Sequence, residues 1–254
     1  MTTVTPQGTV SHGGRGTECS MSAQSMTGIE ACVFDAYGTL FDVSSVARGA
    51  KDALGDQWQA FSDLWRTKQL QYTWLRGLAG RHADFWQVTG DALDFAMAAL
   101  NFTDGELRDR LMHLYLELSA YPEVPGMLRG LRAGGIKLAI LSNGTPTMLA
   151  SAVRNAGLDD LFDAVLSVEE VGVFKPHPSV YRLATERLQI SPDRICFLSS
   201  NAWDAFSAKA FGFRVLWCNR LGQMPERIPA APDGEIEDLS GLSELLSIGA
   251  VRAR

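Results

Sequence analysis

The sequence predicts an α/β fold: a doubly wound parallel sheet of Rossmann-like type, with an all-helical segment inserted after the first strand. Three observations carry this. Short apolar runs bounded by polar loops recur along the chain, and helical patterns separate most of them. One long interval, 43–120, shows helical periodicity and no strand. Apolar runs without alternation suit strands buried on both faces, and strand–helix alternation implies right-handed crossovers.

The elements follow in order. Residues 1–27 are rich in Ser, Thr and Gly and lack the apolar segment of a secretory signal. They read as a disordered extension, or as the product of a start placed upstream of the true one at Met21 or Met26. Folding signals begin at Ile29, and Ala31, Cys32, Val33 and Phe34 form the first strand. Within the insert, Phe61, Leu64, Trp65, Tyr72, Leu75 and Ala79 recur at helical spacing, as do Leu107, Leu111, Leu114 and Leu118. Thr103 reads as the N-cap of the second pattern, with Glu106 completing a capping box. The interval is too long for a loop and reads as a helical cap subdomain over 43–120. Pro122 and Pro125 mark the return to the core, because proline disfavours helix at the residue before it. The core domain then comprises 28–42 and 121–254. Its further strands fall at 137–141, 164–166, 195–198 and 215–217, and two of its helices at 148–155 and 180–188.

Composition limits the function. A 46% hydrophobic and 20% charged chain is that of a soluble globular protein. The net charge of −6, without a basic cluster, argues against a nucleic-acid partner. No apolar run approaches the roughly 18 residues of a membrane span. Cys19, Cys32, Cys196 and Cys218 form no CxxC pair, and His12, His82, His113 and His177 show no metal-ligand spacing. The cysteines read as reduced thiols of a cytosolic protein.

In an open parallel sheet, ligands bind beyond the carboxyl ends of the strands. The residues there are Asp35 to Asp42, then Ser142-Asn143-Gly144, then Lys175-Pro176, then Ser199-Ser200-Asn201-Ala202-Trp203-Asp204. They bring two carboxylates, a lysine and several hydroxyl and amide groups to one crevice. This set, in this order, resembles the haloacid dehalogenase (HAD) superfamily: Asp35-Ala36-Tyr37-Gly38-Thr39-Leu40 matches its first motif, Ser142 its second, Lys175 its third and the Asp204 segment its fourth. The resemblance spans Ile29 to about Leu246.

Two departures from the superfamily's phosphatases are informative. Tyr37 stands where they carry a second Asp, and Ser200-Asn201 stands where a Gly-Asp helps to hold Mg²⁺. Magnesium needs carboxylate oxygens in near-octahedral array, so the sequence predicts no metal and no cofactor. Both substitutions match the L-2-haloacid dehalogenase branch, as does Trp65-Arg66-Thr67-Lys68-Gln69-Leu70 in the cap.

The resemblance implies a hydrolase acting on L-2-haloalkanoic acids. Asp35 would be the nucleophile, with Lys175 lowering its pKa and Thr39 fixing its rotamer. Ser142 and backbone N–H groups near Asn143 would receive the substrate carboxylate. Arg66, Asn143 and Trp203 would stabilise the departing halide. Asp204, held by Asn201 and Ser199, would activate water, and Tyr181 would bond Asp35 or Lys175. Ala36, Tyr37, Leu70 and Phe85 would complete the substrate's surroundings. A cytoplasmic homodimer is implied as well. A phosphatase of the same superfamily and a non-catalytic binding protein on the same fold stand as alternatives.

Overall fold

The structure is a computed structural model that describes residues 25–246. Cys19, His12 and most of the N-terminal extension expected above lie outside the described residues. Met26 lies inside them. It is buried, and its N–H donates to the Leu245 carbonyl at 2.7 Å, so packing begins ahead of the boundary expected at residue 28.

Six parallel strands form one sheet in the order β3-β2-β1-β4-β5-β6. They are β1 (Ala31–Phe34), β2 (Lys137–Ser142), β3 (Ala164–Ser167), β4 (Ile195–Ser199), β5 (Arg214–Cys218) and β6 (Gly234–Ile236). The chain winds outward from β1 through β2 to β3, then crosses to the other side of β1 with β4. That reversal makes a topological switch point at β1, and its carboxyl end is where a crevice opens. β1 is buried at every position because both its neighbours and both its faces are covered, which is why it reads as an unbroken apolar run. β6 escapes the sequence reading: three residues, one buried and two half-buried, without an apolar run give no periodicity to detect.

Between β1 and β2 lie only helices: α1 (Ser44–Gly49), α2 (Lys51–Leu54), α3 (Trp58–Leu78), α4 (Phe85–Ala99), α5 (Gly105–Leu116) and α6 (Val124–Ala133). In α3 the buried stripe is Phe61, Trp65, Gln69 and Thr73, a strict i+4 row. Leu75, expected on the apolar face, is 60% exposed instead. The N-cap of α5 is Asp104 and not Thr103; its carboxylate accepts the Glu106 N–H at 2.8 Å, and a charged acceptor suits the positive end of a helix. The outgoing and returning linkers of this helical segment pair with each other. Phe41 bridges Ala120, and the Tyr121 N–H donates to the Leu40 carbonyl at 3.0 Å.

The remaining helices, α7 (Pro146–Asn155), α8 (Pro178–Leu188), α9 (Ala202–Phe211) and the short α10 (Leu242–Leu245), complete the core. Thr145 caps α7 and His177 caps α8, the latter accepting the Ser179 N–H on its ring nitrogen at 3.2 Å.

Candidate active site

Asp35 extends β1 by one residue, its N–H donating to the Leu198 carbonyl of β4 at 2.8 Å. The chain then turns sharply, and the Ala36 carbonyl accepts N–H groups from Thr39, Leu40 and Phe41. No helix starts at Thr39; α1 begins only at Ser44. Gly38 takes φ +87°, a conformation open to glycine, and a Cβ there would meet Ser200 Oγ at 3.0 Å. The tight turn brings the Thr39 hydroxyl back to 3.2 Å from Asp35 Oδ2, and the Ser200 N–H donates to that hydroxyl at 2.8 Å.

Lys175 arrives from the segment between β3 and α8. It is 1% exposed, far from a surface lysine at a turn. Its backbone N–H donates to Asn143 Oδ1 at 3.0 Å, which ties this segment to the end of β2. Its ammonium donates to Asp35 Oδ1 at 3.1 Å and Asp204 Oδ2 at 2.8 Å, and it sits over the Phe197 ring. Burial pushes the Lys175 ammonium towards lower pKa, but Asp204 and Asp35 together outweigh it and hold the group above its ordinary value. Lys175 therefore stays charged.

Asp204, in the first turn of α9, is fully buried. Burial holds its carboxyl above the ordinary carboxylate range, and Lys175 only partly offsets this. Tyr181 of α8 donates to Asp204 Oδ1 at 2.8 Å; the sequence had pointed it at Asp35 or Lys175. A second correction concerns Ser199 and Asn201. They hold Asp35 and not the Asp204 side chain: Asn201 Nδ2 donates to Asp35 Oδ2 at 2.9 Å, and Ser199 Oγ lies 3.5 Å from the same oxygen. Asn201 opens α9, so its side chain points back across the strand ends towards β1, while its backbone carbonyl accepts the Asp204 N–H.

From the helical insert, Arg66 reaches over the strand ends. Its Nη2 donates to Asn201 Oδ1 at 3.3 Å and its Nη1 to Gln69 Oε1 at 2.6 Å. Gln69 escaped the sequence reading. It is buried, and its Nε2 donates to Thr89 Oγ1 at 2.7 Å and to Tyr115 Oη at 3.1 Å. The signal was present: a polar residue in the i+4 row Phe61, Trp65, Gln69, Thr73 must be buried, and a buried amide needs partners. A continuous polar chain thus runs from Tyr181 through Asp204, Lys175, Asp35, Asn201 and Arg66 to Gln69.

The other expected residues border this chain. The Tyr37 ring packs against Phe85 and Tyr115 at centroid distances of 6.0 and 5.5 Å. Its hydroxyl is buried without a hydrogen-bond partner, and burial raises its pKa well above the ordinary value, so it stays neutral. Gly144 lies against this ring so closely that a Cβ would come within 2.7 Å of it. Ser142 Oγ accepts the Gly144 N–H at 3.1 Å, which engages one of the backbone donors expected to meet a carboxylate. Ala36, Ser142 and Asn143 are buried, and Leu70 on α3 is half-buried. Trp203 meets Trp74 edge to face at 5.3 Å. Among the described residues, no three His, Cys, Asp or Glu side chains come together as a metal site would need.

The arrangement offers a carboxylate held by an ammonium and by Asn201 and Thr39, a second buried carboxylate beside it, and a guanidinium that reaches Asn201 from the insert. Comparison with known proteins points to one family. Residues 29–212 match the haloacid dehalogenase-like hydrolase family. The chain is 46% identical over 221 residues to (S)-2-haloacid dehalogenase 1 of Pseudomonas sp. strain CBS-3, covering 87% of this chain and 96% of that one. It is 43% identical over 226 residues to (S)-2-haloacid dehalogenase 4A of Burkholderia cepacia, covering 89% and 98%. Its fold superposes on the L-2-haloacid dehalogenase of Xanthobacter autotrophicus with chloropropionic acid covalently bound, at a TM-score of 0.81 and 40% identity over 86% of this chain and 98% of that one. With its motifs, its sheet order and its relatives in agreement, the chain belongs to the haloacid dehalogenase-like hydrolase family.

Proposed function

We propose that the protein hydrolyses L-2-haloalkanoic acids to D-2-hydroxy acids and halide, with Asp35 as covalent nucleophile. The observation that carries this reading is the Lys175 ammonium lodged between Asp35 and Asp204. It pairs with both carboxylates and orients Asp35 for attack. Tyr37 argues the same way, a neutral phenol standing where the phosphatases carry a carboxylic acid.

Asp35 attacks C2 from the side opposite the halide. The new C–O bond forms as the carbon–halogen bond breaks, so C2 inverts and the halide leaves with the bonding pair. Ser142 and the residues around Asn143 receive the substrate carboxylate. Arg66, Asn143 and Trp203 surround the departing halide, Arg66 supplying a charge that persists at any working pH. Tyr37, Leu70 and Phe85 flank the alkyl group. Water activated by Asp204 then attacks the Asp35 carbonyl, its proton passing to Asp204, and the 2-hydroxy acid is released. Dividing one displacement into two steps is the gain of covalent catalysis. The helical insert, 43–120, acts as a cap over the core formed by 28–42 and 121–254. By the same family likeness the enzyme works without metal, as a cytoplasmic homodimer.

The test is halide release from each enantiomer of 2-chloropropionate in the presence of EDTA. Release from the L form alone, yielding D-lactate, is expected. Mg²⁺-dependent phosphate release from a generic phosphate ester, with no halide from either enantiomer, would overturn the reading.

A further inference from the structure

We propose that an apolar cavity between α3 and the segment ahead of α8 receives the alkyl chain of 2-haloalkanoic acids longer than propionate. This rests on the dehalogenase reading and extends it to substrate chain length. The cavity measures about 460 Å³, and its walls include Trp74, Gly77, Val173, Phe174, Lys175 and Trp203. That volume lies within the range of small-molecule sites.

The cavity shares its inner walls with the active site. Lys175 donates to Asp35, Trp203 adjoins Asp204 in sequence, and the Phe174 ring packs against Phe85 at 6.2 Å. Leu70 sits one turn before Trp74 on α3. A chain leaving C2 past Leu70 and Phe85 and running along α3 therefore meets Trp74 and then Gly77. The partition on that route is the Trp74–Trp203 pair. Both indole N–H groups are buried and neither has a hydrogen-bond partner, so either ring can shift by giving up packing contacts alone. At the outer end Leu78 is 88% exposed, so a longer chain need not stop inside the protein. The Lys175 ammonium is directed to Asp35 and Asp204, which leaves the cavity to hydrocarbon. Each methylene moved from water into such a space strengthens binding about fourfold.

Gly77 supplies the test. It lies in the last turn of α3, and a Cβ there would approach Val173 Cγ2 at 3.9 Å, an ordinary contact. Leucine fills the space from a helical position that favours it over glycine. The experiment measures kcat/KM for the L enantiomers of 2-bromopropionate, 2-bromohexanoate and 2-bromooctanoate on the wild type and on Gly77→Leu. The wild type is expected to use the longer acids at least as well as propionate. Gly77→Leu is expected to lose about tenfold or more on the longer acids and less than about threefold on propionate. Val173→Phe fills the same space from the core side and should give the same selectivity if Gly77→Leu does not fold. Equal effects on all three acids, or none, would overturn the proposal while leaving the dehalogenase reading in place. So would a wild type that uses propionate but not the longer acids. No halide from any of them would remove the dehalogenase reading, and this proposal with it.

Discussion

On the core side of the site, Asp35 is addressed by Lys175, Asn201, Thr39 and Ser199, side chains drawn from the carboxyl ends of three different strands and the segments that follow them. On the insert side, Arg66 touches this cluster through one 3.3 Å bond to Asn201, while its second bond, to Gln69, stays within the insert. The difference follows from topology. Parallel strands end at one level, so their loops converge on β1, and Lys175, Thr39 and Ser199 are buried there. The insert has no strand to register it against the core and meets it through paired linkers and side-chain contacts. The chemistry benefits from both. A nucleophile must be preorganised before substrate arrives, whereas a group that stabilises a departing anion can withdraw to let it go.

The largest expected effect lies on the core side. Asp35→Asn keeps the side-chain shape but removes the nucleophilic charge, and it should lower multiple-turnover kcat by about 10⁴-fold or more. Halide release by a repurified variant, checked by mass spectrometry for deamidation, measures it. A rate near that of the wild type would remove Asp35 as nucleophile.

Arg66→Ala comes next and probes the insert side. Removing a fixed charge that faces developing negative charge should lower kcat/KM by about 10²- to 10³-fold. Its bonds are only part-buried, so unfolding free energy should stay within about 1 kcal/mol of the wild type. A normal rate would show that the insert holds no charge over the reacting atoms. A large loss of stability would show that Arg66 is a structural strut.

The same contrast explains what could be read from the sequence. The core motifs sit within a few residues of strand ends, and a buried strand announces itself as an apolar run, so Asp35, Ser142, Lys175, Asn201 and Asp204 were all legible as strand-end residues. Their pairing was less so. Asn201 and Asp204 lie three residues apart, yet the first turn of α9 sends one side chain to Asp35 and keeps the other between Lys175 and Tyr181. No linear spacing encodes that divergence. In the insert, periodicity revealed helices but not which polar residue on them faces the core. Gln69 was visible only as a polar residue in a buried row, and β6 was too short to leave a pattern.

The smallest effect separates two carboxylates that the ammonium joins. Asp204 must be ionised to take a proton from water, and burial already holds its pKa above the ordinary range. The Tyr181 hydroxyl donates to the ionised form and lowers that pKa. Tyr181→Phe deletes this donor and nothing that touches Asp35, so the pKa of Asp204 should rise further. The acid limb of the kcat profile should then move to higher pH, with a loss of about tenfold at the acid end that shrinks as pH increases. Single-turnover formation of the Asp35 ester should change less than its hydrolysis. An acid limb that stays in place or moves to lower pH, or an equal loss in both steps, would transfer the water-activating role away from Asp204.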